Sequence, residues 1–85
     1  MLTSDSSPLE WASLMYELED AKEHLGHLIG ELNTTGEISE HEYESQLAHI
    51  YSHLNRSWAS RHHIGEISDK QREEYSKFPH DIKPL

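Results

Sequence analysis

Cysteine is absent from these 85 residues, which excludes disulfide bonds, thiolate-held zinc and a cysteine nucleophile. Long apolar runs are missing too. None exceeds a few residues, far short of the ~20 that span a bilayer. The opening Met1-Leu2-Thr3-Ser4-Asp5 has neither the positive nor the apolar region of a secretory signal, so a cytoplasmic protein is the expectation. Apolar residues are scarce throughout: they make up 34% of the chain whether its four tyrosines or its four glycines are counted, against roughly 45–50% in ordinary globular proteins. A chain this small seldom builds a strongly stabilising core alone. With disulfides excluded, self-association or a partner is the expected reinforcement.

Basic residues are also few. The chain has 7 Lys and Arg against 16 Asp and Glu, for a net charge of −9. Residues 1–60 hold 11 of the acidic and 2 of the basic side chains, whereas residues 61–85 hold five of each. An acidic body repels a phosphate backbone, so direct nucleic-acid binding is excluded as an expectation. Catalytic signatures are missing as well: there is no HExxH, no glycine-rich phosphate loop and no Gly-x-Ser-x-Gly. A non-enzymatic protein without a cofactor is expected.

Helical patterning is abundant. Ser7-Pro8-Leu9-Glu10 combines a capping serine, proline at the first helical position and glutamate three residues after the cap. Trp11, Leu14, Leu18, Ala21, Leu25, Leu28 and Leu32 then recur at alternating steps of three and four, a heptad seam. Met15 and Ile29 widen the stripe, as in a bundle. Asn33-Thr34-Thr35-Gly36 ends this helix with a left-handed glycine. Ser39-Glu40-His41-Glu42 opens the next, with Ile38 packing over the junction and Tyr43, Leu47, Ile50, Leu54 and Trp58 as its stripe. The spacing predicts helices over about 8–33 and 39–62 joined by a turn at 34–38. Facing residues should have position numbers that sum to about 75. Ser68-Asp69-Lys70-Gln71 predicts a short third helix to about Lys77, within a linker segment 63–78. Pro79 ends it, and an extended tail covers 79–85, as a flexible segment covers 1–7.

The predicted fold class is therefore all-α: a long antiparallel hairpin plus a short C-terminal helix. Two helices bury one side each, so pairing with a second copy into a four-helix bundle is expected, through Met15, Ile29, Tyr16, Tyr51 and Ala48. The function this implies is a protein–protein interaction or regulatory module. Its contact residues would be Trp11, Met15, Tyr51 and Trp58 with the acidic Glu17, Glu19 and Asp20. Arg56 and Arg61 beside Trp58 read as arginines snorkelling over an apolar end. The acidic faces suit either solubility or the mimicry of nucleic acid towards a DNA-binding protein.

The turn resembles an EF-hand calcium loop. Within Glu31–Glu42, Asn33, Gly36, Ile38 and Glu42 fit that pattern, while Glu31 and Thr35 depart from it. A helix-ending glycine followed by a capping serine produces a similar string. The eight histidines offer a second metal reading. His49 and His53 are four apart on one helix face, and His24 and His27 are three apart on the other helix. His24 and His53 both flank the seam, so His24, His49 and His53 form the candidate ligand set for a divalent metal. No histidine follows a glutamate by three, as the di-iron bundles require. His62-His63 lies near the end of the second helix, where positive charge is favoured. Protonating the histidines should relieve repulsion between acidic helices and favour association below about pH 6.

Overall fold

A computed structural model describes every residue except Met1 and Ser6; the expectation of a flexible segment at 1–7 falls partly on these two, outside the described residues. The elements are α1 (Pro8–Thr35), α2 (Glu40–Ala59) and α3 (Asp69–Tyr75). α1 and α2 pack along their length as an antiparallel hairpin. α3 packs on α2 and makes no packing contact with α1.

The ends of the helices follow local chemistry. Gly36 adopts φ +69°, and its N–H donates to the Leu32 carbonyl, closing α1 with the left-handed residue that a side chain would strain. Ser39 Oγ accepts from the Glu42 N–H at 3.1 Å to start α2. Ser68 and Gln71 form a full reciprocal capping box at α3. Ser7 differs: its side chain makes no cap, and only its carbonyl accepts, from Trp11 N–H at 2.9 Å. Pro8 starts the helix by its fixed φ and missing N–H.

Cross-helix partners fall within two places of the expected register: Glu17 meets Arg56, His24 meets His49 and Glu31 meets Gln46. The rotation of the helices about their axes is what differs. Ala21, Leu28 and Ile50 are buried, with Leu32, Ile38 and Leu47 packed around them. Leu18 and Leu25, expected in the seam, are instead 39% and 43% exposed, and Leu54 is equally half out. The interior positions beside Ala21 are taken by Glu17 and His24 on α1 and by His53 and Arg56 on α2.

This rotation is tolerated because the buried polar groups, His53 Nε2 apart, satisfy one another. Arg56 uses three donors. Nε reaches Glu17 Oε2 at 2.7 Å, Nη1 reaches Ser76 Oγ at 2.8 Å, and Nη2 lies 3.1 Å from His53 Nδ1. Arg56 is thus a buried structural residue, only 8% exposed, and does not snorkel.

The chain after α2 straps back along that helix. Asn55 Nδ2 donates to the Ser76 carbonyl at 2.9 Å, and Tyr75 Oη lies 3.2 Å from His63 Nδ1. The Phe78 ring meets Tyr51 edge-on at 5.0 Å. Trp58 Nε1 donates to Asp81 at 2.9 Å, while the Arg61 guanidinium lies over the indole ring, 3.6 Å from its centroid. The Asp81 carboxyl is held below its usual range, first by that indole hydrogen bond.

Candidate metal centre

Residues four apart on a helix share a face, and an antiparallel register brings two such faces together. His49 and His53 occupy one face of α2, and His24 reaches them from α1. Ring centroids are 4.0 Å apart for His24–His49, 5.0 Å for His49–His53 and 5.3 Å for His24–His53. One nitrogen from each ring lies within 4.8 Å of the other two. Zn–N bonds of about 2.0–2.1 Å place tetrahedral ligands about 3.3 Å apart, so the three nitrogens would have to draw closer to hold one ion.

The interior edge of the trio is the distinctive part. His53 is 6% exposed, and its Nε2 is buried with no hydrogen-bond partner among the described residues. Arginine can only donate, so the contact from Arg56 Nη2 assigns the lone pair of His53 to Nδ1 and its hydrogen to Nε2. A buried N–H without an acceptor costs about 1–3 kcal/mol. Glu17 Oε2 lies 3.6 Å from the same Nδ1.

The outer edge is wetter. His24 is half-buried and His49 exposed. The His49 imidazole is held below its ordinary pKa, first by desolvation against its neighbours and then by the charges of His24 and His53. Asp20 pulls the other way. Asp20 lies one turn before His24 and is half-buried; its charge reaches His49, but it does not join the group of ligand atoms.

The other candidate residues are distributed differently. His27 is exposed and does not join the cluster. His63 places its two nitrogens on Tyr75 Oη and the Glu66 carbonyl, docking the chain before α3. Glu17, expected on an outer acidic face, is drawn between the helices by Arg56. Trp58 is engaged by Asp81 and Arg61 of its own chain, and Trp11 is half-buried. Met15, Tyr51 and Glu19 remain exposed.

The Glu31–Glu42 segment is a plain hairpin turn. Glu31 to Thr35 are helical within α1 and Glu40 to Glu42 within α2, leaving only 36–39 between the helices. Ligands strung along two helices cannot wrap a calcium ion as a loop does. Glu31 Oε2 and Glu42 Oε1 both accept from Gln46 Nε2.

Glu17, Arg56 and Ser76 escaped sequence reasoning as a connected group. The register that aligned the apolar stripes contains the signal, because Glu17 with Arg56 and His24 with His49 lie within two places of it. No family model, curated protein or solved structure matches this chain.

Proposed function

We propose that this protein binds a divalent transition-metal ion through His24, His49 and His53. Two observations carry the reading: His24, His49 and His53 each bring a ring nitrogen within 4.8 Å of the others, and His53 has a buried Nε2 with no partner among the described residues. Imidazole nitrogen suits Zn²⁺, Cu²⁺ and Ni²⁺. Three histidines leave a fourth position to water.

Zn²⁺ added to the protein at pH 7.5 should raise its melting temperature. Binding to the folded state alone stabilises by about 2.7 kcal/mol at one hundred times Kd. For a domain this size each kcal/mol is worth roughly 4–8 °C. His53→Ala should abolish the shift, and His27→Ala should retain it. A melting temperature indifferent to millimolar Zn²⁺, Cu²⁺ and Ni²⁺ would refute the site.

A second reading concerns association, and the half-exposed apolar flank favours it. Helical geometry places Met15, Leu18, Leu25 and Ile29 of α1 with Leu54 and Tyr51 of α2 on the edge of the hairpin opposite the histidines. All six are exposed large hydrophobics. A second copy of the chain would cover this strip and complete a four-helix bundle. Light scattering giving a mass near twice 9.9 kDa supports it, and a concentration-independent monomer overturns it.

A further inference from the structure

Resting on the metal-binding reading above, we infer that Glu17 and Arg56 compete for Nδ1 of His53, and that a metal ion at Nε2 decides the competition in favour of Glu17. The geometry sets the two outcomes. In the arrangement observed, Arg56 Nη2 donates to Nδ1 at 3.1 Å, so the ring hydrogen sits on Nε2, where it has no acceptor among the described residues. A metal ion takes the lone pair of Nε2, and the ring hydrogen must then reside on Nδ1. The ring carries one N–H before and one after, so the step is a tautomer exchange with no net change in its protonation.

The new Nδ1–H confronts two neighbours. Arg56 Nη2 is a donor and is now mismatched. Glu17 Oε2, 3.6 Å away, is an acceptor, and a shift of under an ångström brings it into hydrogen-bond range. The result is a carboxylate–histidine–metal relay, the arrangement that orients a ligating imidazole and raises its basicity. Glu17 is thus a positioning residue that favours the loaded site. Arg56 is an opposing residue that favours the unloaded tautomer. Arg56 is also the link to the C-terminal arm, through Nη1 on Ser76 Oγ at 2.8 Å. A loaded site therefore removes one of the three contacts that fix the guanidinium.

The opposite signs of the two residues separate this arrangement from a merely structural one. The full-length protein labelled with ¹⁵N-histidine gives the direct reading by long-range ¹H–¹⁵N NMR. His53 should show the Nε2–H pattern without metal and the Nδ1–H pattern after Zn²⁺ is added. Zinc affinity by competition with a chelating dye gives the second. Glu17→Gln should weaken binding about tenfold, whereas Arg56→Met should tighten it above wild type. Weakening by both variants, or an Nδ1–H tautomer already present without metal, overturns the competition while leaving the site intact. If Arg56→Met does not fold, the wild-type tautomer decides alone. Failure of the metal site itself looks different: no zinc-dependent change at His24, His49 or His53 at all.

Discussion

Replacing Arg56 by methionine should cost far more stability than replacing Glu17 and Arg56 together. Arg56 Nε lies 2.7 Å from Glu17 Oε2, and the two side chains are 9% and 16% exposed, so solvent screens the pair little. Arg56→Met strands the Glu17 carboxylate between the helices, a change worth about 3–5 kcal/mol. At roughly 0.05–0.15 kcal/mol per residue, that is a large part of what a domain this size has. Glu17→Met is milder, about 1–3 kcal/mol, because Ser76 and His53 still occupy two groups of the guanidinium. In the double variant neither charge is left unpaired, and two methionines extend the cluster around Ala21. Its stability should fall within about 1 kcal/mol of wild type, since apolar replacements of buried pairs are often neutral or better. Urea denaturation followed by circular dichroism measures all four proteins without zinc. A double variant as unstable as the sum of the singles would refute the argument, by showing that the rotation of the helices depends on this ion pair.

Acid should weaken the metal-free fold. The folded-state pKa of His49 lies below its ordinary 6.5, so the unfolded chain binds that proton more readily. Its contribution to stability is complete above about pH 6.5 and is lost as pH falls towards the folded value. The urea midpoint should drop between pH 7.5 and 5.5, and His49→Gln should flatten the dependence; an unchanged slope in that variant rejects the assignment. This local repulsion opposes the relief that histidine protonation gives to the overall negative charge. For the apolar flank, Leu25→Glu should yield a monomer with little loss of helicity if a second copy covers it. An unaltered mass in that variant would exclude the strip as the contact.

The parts of the fold visible in the sequence are those set by local chemistry. Gly36 marks a left-handed stop, and Ser39 and Ser68 mark starts, because caps involve residues within one turn of each other. The register was visible because a turn this short leaves little freedom in pairing. The rotation of each helix was not. The α1 stripe is broad enough that Leu18 and Leu25 could face the partner or the flank, so apolar residues alone leave the choice open. The rotation observed is the one in which Arg56 reaches Glu17, His53 and Ser76, three groups that an apolar pattern does not contain. The same rotation puts Glu17 inside, while His24, His49 and His53 stand side by side. His24 and His53 flank the seam under either rotation, but Glu17 becomes interior only under one.

The one-sided attachment of the C-terminal arm also sets an order of opening. Asn55, Arg56, Tyr51 and Trp58 hold the arm, and all four belong to α2. The arm can therefore lift away without parting the two long helices, as a local unit of lower stability than the hairpin. Amide hydrogens of α3 should exchange before those around Leu28 and Ile50.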